Sequence, residues 1–324
     1  VLRVTFICGN LESGKDGIGD YTRCLATELI RQGHQATIIA IEDRYCKLVM
    51  EEEQDHGGTS VSTLRLSRNL PFAARKKQLI HYLDEQKTAH ISLQYGVFSY
   101  HPKGLPWRWH QVFQSLQKER YWHINFHELW LGIPLQSSFK EKIWGRMQRL
   151  LILDLLKQLK PKSIQTHTAV YYAALQQHCS IAYQLPLFSN IQKVPLVAIN
   201  LSPAALKIIV FGTIYSSEKA TAFFQELSAY SISNSQPTTI YFIGRNGSQK
   251  WQWIRLINQH AAIVYQDIGA LHVAKISSYL QQADLGITTT PFPLVGKSGV
   301  VASYLLHALP VLSVASEWTS RYTD

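Results

Sequence analysis

Apolar positions along the chain follow two alternating rhythms. Residues 2–8 (LRVTFIC) alternate as a buried strand, 36–41 (ATIIAI) read as the next strand, and between them Tyr21, Leu25 and Leu29 recur at helical spacing. The pattern predicts a β-α-β unit whose helix is N-capped by Asp20 and closed by Gly33. The alternation continues with a helix around 72–87, a strand at 90–95, a helix around 106–119, a strand at 121–128, a helix over 139–162 and a strand at 162–167. Residues 185–206, with Pro186, Pro195 and Pro203, interrupt it. Strands at 206–212, 238–244, 261–267, 284–290 and 310–316 then alternate with helices at 217–230, 248–259, 272–282 and 298–308. Such alternation predicts parallel sheets covered on both faces. The expected fold class is α/β in two wound domains, residues 1–190 and 206–324, joined by a linker at 191–205. Ligands of such sheets bind at the carboxyl ends of the strands.

Composition narrows the partners. The 324 residues are 46% hydrophobic, which excludes a disordered chain. No apolar run approaches the roughly 20 residues of a membrane span. Cys8, Cys24, Cys46 and Cys179 lack paired or metal-type spacing and read as thiols of a cytoplasmic protein. A net charge of +10 favours anionic partners: nucleotides, phosphorylated sugars, acidic lipids or nucleic acid. Nucleic acid is set aside because no recognisable binding module accompanies the charge. Much of the charge lies on the 139–162 helix, whose Phe139, Ile143, Trp144, Met147, Leu150, Leu151, Leu155 and Leu159 share one face. Lys140, Lys142, Arg146, Arg149, Lys157 and Lys160 occupy the other. Two readings follow: a core helix with a solvated basic face, or peripheral contact with an anionic membrane surface at the inner face.

Several short motifs fail on their details. Gly296-Lys297-Ser298 resembles the end of a phosphate-binding P-loop, but the required earlier glycine is Pro291, which has no N–H. Gly17-x-Gly19-x-x-Thr22, with Glu42 after the second strand, suggests a dinucleotide fingerprint. The third glycine is missing and the loop from Gly9 is long, so Gly17, Gly19 and Tyr21 are read as a glycine-rich loop for an anion or sugar group. His123 and His127 are four apart on a strand, where they do not converge on one metal, and position 131 is leucine; no metal site is expected.

What remains is a set of strand ends. His127 and Glu128 end one strand, and the aromatic stretch that follows another offers Tyr95, Tyr100 and Trp107 for stacking on an acceptor sugar. In the second half, Gly212 with Lys219, Gly244 with Arg245, and Lys297, Ser298 and Gly299 at a helix start form three glycine–cation turns. Together they suit a diphosphate.

The succession of these segments resembles the GT-B glycosyltransferases, in particular glycosyltransferase family 4 and its relatives. "DGIGDYTRCLATELIRQGHQATIIA", "FHELW", "LPLFSNI", "FGTIYSSEKA", "YFIGRNG" and "IGALHVAKISSYLQQADLGITT" carry the resemblance along nearly the whole chain. It implies two Rossmann-like domains facing a cleft, and sugar transfer from a nucleotide diphosphate sugar to a hydroxyl of a glycan, lipid-linked or small-molecule acceptor. It also implies retention of anomeric configuration, no required cofactor, and His127 near the transferred sugar with Glu128 beside it. The family's two glutamates, eight positions apart, fall at Val295 and Ser303, and its arginine near Ile214. Lys297, Ser298 and Gly299 are expected to hold the donor phosphates instead. A non-catalytic nucleotide-sugar-binding protein and a sugar-nucleotide epimerase of the same fold remain alternatives. Members of this family continue with further helices, so the resemblance implies more chain beyond Asp324.

Overall fold

The computed structural model describes residues 1–117 and 120–322. It divides into two compact units, Val1–Pro186 with the residues from Thr319 onward, and Leu187–Trp318. Both are α/β, and each is wound as a Rossmann-like sheet.

In unit 1 the strands are β1 (Arg3–Cys8), β2 (Gln35–Asp43), β3 (Val49–His56), β4 (Thr59–Ser67), β5 (His90–Tyr95), β6 (Tyr121–Phe126), β7 (Ser163–Thr166) and β8 (Ala182–Gln184). Among the described residues they form one sheet in the order β3-β4-β2-β1-β5-β6-β7-β8. Every neighbouring pair is parallel except β3–β4, an antiparallel hairpin through Gly57 and Gly58, both at positive φ. The apolar pattern assigns no element to 49–67, because β3 (VMEEEQDH) is charged and lies at the sheet edge. Its Glu52 pairs with Arg65, which also holds Asp43 at 2.8 Å and Glu12 at 2.7 Å. Helices α1 (Gly17–Arg31), α2 (Phe72–Glu85), α3 (Trp107–Ser115), α4 (Phe139–Leu159) and α5 (Ala169–Gln176) connect the strands. Residues 118–119, the end of the helix expected over 106–119, lie outside the described residues.

Helix α1 starts earlier than the sequence suggests. Asp16 is its N-cap, accepting from Gly19 N at 2.9 Å, and Asp20 sits in the first turn, where it accepts from Gly14 N and pairs with Arg23. Gly17, Gly19 and Tyr21 are therefore helical, not part of a flexible loop. Gly19 is required by packing: a Cβ there would lie 2.5 Å from the carbonyl oxygen of Asn10.

Helix α4 is rotated relative to the expected core stripe. A Cβ on Gly145 would lie 1.8 Å from Leu131 O, so the helix rests backbone-close on the 131–132 segment. Beside it the buried Gln148 accepts from Leu131 N at 2.9 Å. With Gly145, Gln148 and Ile152 facing inward, Phe139 (80% exposed), Ile143 (48%), Met147 (36%) and Leu150 (58%) face solvent. Leu155 and Leu159 alone of the predicted stripe are fully buried.

Unit 2 holds a sheet of β9 (Leu206–Phe211), β10 (Thr238–Ile243), β11 (Ile263–Gly269), β12 (Leu285–Thr288) and β13 (Val311–Ser313). Its order is β11-β10-β9-β12-β13, and all its pairs are parallel. The central strands are buried on both faces, which is why they read as unbroken apolar runs. Helices α6 (Ala220–Ser233), α7 (Gln249–Ile257), α8 (Val273–Gln282) and α9 (Gly299–Leu306) flank it. Residues 191–205 carry no helix or strand but are not free: Val194 N and Val197 N donate to Ser277 and Ser278 of α8, and Ile199 and Leu201 pack against the core.

Candidate functional site

In unit 1, strand alternation puts Ser92 and Gln94 of β5, His123 and Asn125 of β6, and Gln165 of β7 on one sheet face. The register sets Ser92 beside His123, Gln94 beside Asn125, and Asn125 beside Gln165. His127 and His167 continue the same alternation just past their strands. The result is a buried polar chain at the carboxyl end of the sheet. His127 Nε2 lies 2.9 Å from Gln94 Oε1, and His127 Nδ1 lies 3.2 Å from His167 Nε2. His167 Nδ1 reaches Leu185 O at 2.9 Å. Tyr21 caps the pair from α1, its ring centroid 4.9 Å from that of His127 and 5.5 Å from that of His167. The Tyr21 hydroxyl faces the amides of Gln165 and Asn125, and burial pushes its phenol up to about 12. Toward the strand's start, Gln94 Nε2 donates to Ser92 Oγ at 2.8 Å, and Ser92 Oγ meets His123 Nδ1 at 2.8 Å. Burial pushes the His123 imidazole down to about 4, so it is neutral.

This network sharpens and corrects the expectations for unit 1. His127 is 7% exposed and both its ring nitrogens face protein groups, Nε2 meeting Gln94 Oε1 and, at 3.3 Å, Asn125 Nδ2, so neither nitrogen is open to a ligand in this arrangement. Glu128 is half-buried beside it. Tyr95 (0% exposed) and Tyr100 (2%) offer no face for stacking on a sugar; they are core residues. Tyr95 Oη meets His110 Nε2 at 3.1 Å, and Tyr100 Oη donates to Ile7 O and Gln94 O. Trp107, at the start of α3, is exposed. Glu42 holds no ribose: it accepts from Trp109 Nε1 at 2.6 Å and pairs with Arg75. At the start of α1, Asp16 and Asp20 already supply the negative charge that a helix N-terminus favours, so an anion has no place there. A cavity of about 290 Å³ opens at the opposite, amino end of the sheet, walled by Leu2, Val4, Phe6, Leu25 and Leu29 with His123 in its lining.

In unit 2 the three glycine–cation turns follow adjacent strands, β10, β9 and β12. Gly212, Gly244 and Gly247 take φ of +74°, +81° and +75°, a region that favours glycine. The buried Asn246, absent from the sequence expectations, fastens the turns: its Nδ2 donates to Gly212 O at 2.8 Å and to Val210 O and Ile243 O at 3.3 Å. Ile214 N returns to Asn246 O, and Tyr215 N donates to Thr289 Oγ1 at 2.8 Å, tying in the turn after β12. The close approach at Gly212 is made by Val300 of α9, which a Cβ would meet at 2.8 Å. Lys219 and Arg245 are exposed and Lys297 is half-buried. Ser298 is the N-cap of α9, its hydroxyl accepting from Val301 N, while a Cβ on Gly299 would meet open space. Ser303, one of the two positions where the resemblance looks for a glutamate, is buried inside α9 and donates to Gly299 O at 2.6 Å. Among the described residues no group of His, Cys, Asp and Glu side chains could hold a metal.

No protein-family model and no curated protein sequence matches the chain. Solved structures do match its fold. WaaG, a glycosyltransferase involved in lipopolysaccharide biosynthesis, aligns at TM-score 0.58 and 10% identity over 96% of this chain and 81% of its own. TarM of S. aureus, solved as a mutant with fondaparinux, α-GlcNAc-glycerol and UDP, aligns at 0.57 and 9% over 97% and 85%. A putative UDP-N-acetylglucosamine 2-epimerase from Listeria monocytogenes aligns at 0.55 and 12% over 96% and 78%. The fold is that of the GT-B class.

Proposed function

We propose that the protein transfers a sugar from a nucleotide diphosphate sugar to an acceptor hydroxyl. The observation that carries this reading is the trio of turns at the ends of β9, β10 and β12, each with positive-φ glycine or a helix start and each bearing a cation. Leaving-group departure builds negative charge on the diphosphate while the anomeric carbon becomes positive. Lys219, Arg245, Lys297 and the N–H groups at the start of α9 are the groups of this chain suited to stabilise it. In this reading they fill the place that a metal takes elsewhere, and no cofactor beyond the co-substrate is needed.

The acceptor side is assigned to unit 1. Of the residues expected to meet the sugars there, Trp107 is exposed and Glu128 is half-buried. The exposed row Phe139, Ile143, Met147 and Leu150, flanked by exposed Lys140, Lys142 and Arg146, favours a lipid-linked acceptor met at an anionic membrane surface. No helix among the described residues is long and apolar enough to cross a membrane.

A thermal-shift screen with UDP, GDP, ADP and their sugars tests the donor assignment, with a shift expected for one nucleotide series and its loss in Lys297→Ala. No shift with any of them overturns it. Binding without turnover against any acceptor points to a nucleotide-sugar-binding protein, and conversion of UDP-N-acetylglucosamine without acceptor points to an epimerase.

A further inference from the structure

The chain enters unit 2 along residues 187–202, a strap without helix or strand that is tied down by hydrogen bonds to α8 and α9. Leu187 N donates to Gly296 O at 2.9 Å, Ser189 Oγ meets Ser303 Oγ of α9 at 3.0 Å, and Val197 N donates to Ser278 Oγ of α8 at 2.9 Å. At the middle of the strap both backbone groups of Val194 are held. Its N–H donates to Ser277 Oγ at 3.1 Å, and its carbonyl accepts from Gln281 Nε2 at 2.9 Å. Gln281 Nε2 gives its second hydrogen to Ser277 Oγ at 3.0 Å. Ser277 Oγ thus receives two hydrogens and has one to give, and its remaining contact is His307 Nε2 at 2.9 Å. The other ring nitrogen, His307 Nδ1, lies 2.7 Å from Ser303 O, a carbonyl that can only accept. One arrangement satisfies every one of these contacts: a neutral ring with its proton on Nδ1, whose bare Nε2 takes the Ser277 hydroxyl hydrogen.

We infer that neutral His307 is a latch for the strap, and that a proton on its Nε2 releases the strap at Val194. A protonated Nε2 becomes a donor, so Ser277 Oγ would face three donors with two lone pairs. The Val194 N–H makes the longest of the three contacts and is the one displaced. His307 acts here as a positioning residue, through Ser277.

The surroundings set the sign. His307 is 4% exposed, and its ring meets Ser277 from α8, Ser303 from α9 and the charge of Lys193 from the strap. Burial is the main reason that the ring resists a proton; Lys193 adds to it, and the Ser303 carbonyl works the other way. The latch is therefore closed at neutral pH and opens on acidification, when repulsion between the imidazolium and Lys193 assists release. The glycine turns at the ends of β9, β10 and β12 take no part, so the inference stands whatever the protein binds.

NMR of the ligand-free protein tests it. At neutral pH the His307 ring should carry its proton on Nδ1 and none on Nε2; a proton on Nε2 overturns the inference. As pH falls through the His307 titration, amide exchange at Val194, corrected for its intrinsic rate, should quicken by about fivefold, the worth of one hydrogen bond. Ser202 N, held by Tyr241 Oη, is the internal reference and should not respond. Val194 protection that is unchanged across the titration, or that changes in step with Ser202, overturns the latch. Ser277→Ala should leave Val194 unprotected at every pH. His307→Gln supplies both a donor and an acceptor without titrating, so it should keep Val194 protected and abolish the pH dependence. A pH response that survives in His307→Gln takes the switch away from His307.

Discussion

The two sheets end in different ways at their carboxyl edges. In unit 1 the edge is built from side chains: Gln94, Asn125, His127 and His167 are buried and bonded mainly to one another. In unit 2 it is built from backbone: glycines at positive φ, with one buried Asn246 satisfying three carbonyls. The first construction is sensitive to protonation, because each contact depends on which nitrogen or oxygen carries a hydrogen. The second is insensitive to pH and is instead sensitive to any added Cβ where φ is positive. A polar cluster held by side chains suits a site whose state changes; a backbone cradle suits a fixed anion such as a diphosphate.

The contrast can be broken first with glycine. Gly145→Ala in unit 1 drives a Cβ into Leu131 O and should cost about 3 kcal/mol, read as a lowered midpoint in denaturant titration. Gly299→Ala in unit 2 meets open space at a helix start and should change stability by less than about 1 kcal/mol. Equal losses in both would contradict the packing described.

Acid is the second lever. Burial pushes His110 and His123 of unit 1 down to about 4, whereas an unfolded histidine titrates near 6.5. Between those values the unfolded state binds more protons, so stability falls as pH drops from about 6.5 to 4. His110, 3% exposed, accounts for up to about 3 kcal/mol of that fall. Hydrogen exchange should show unit 1, which holds both His110 and His123, opening at a higher pH than unit 2, where burial lowers His307. Simultaneous opening of the two units would remove the distinction.

Lys297→Ala should weaken nucleotide binding by about tenfold or more, the scale of one charge-assisted hydrogen bond, with unit 2 as stable as before. Calorimetric titration reads it, and unchanged affinity would take Lys297 out of the donor site. The smallest effect expected is at α4: Ile143→Ser with Leu150→Ser should lower binding to vesicles containing anionic phospholipid by about tenfold, measured by sedimentation. An unchanged partition would leave the exposed row without a membrane role.

Most strands and helices were legible because a strand buried on both faces must be apolar throughout, as in "LKIIVFG" and "TTIYFIG". The glycine turns of unit 2 were legible for a similar local reason, since only glycine takes those φ values freely. The β3–β4 hairpin was not, because a charged edge strand satisfies its polar groups across the strand pair and leaves no apolar period. The α4 stripe misled, since spacing fixes which residues share a face but not which face packs, and Gly145 decided that through a backbone contact. His167, Gln94 and Asn125 were present as alternating polar positions in "SLQYG", "HINFH" and "SIQTH". That those three short segments lie side by side was decided by the sheet, and only strand adjacency turns isolated polar residues into one hydrogen-bonded chain.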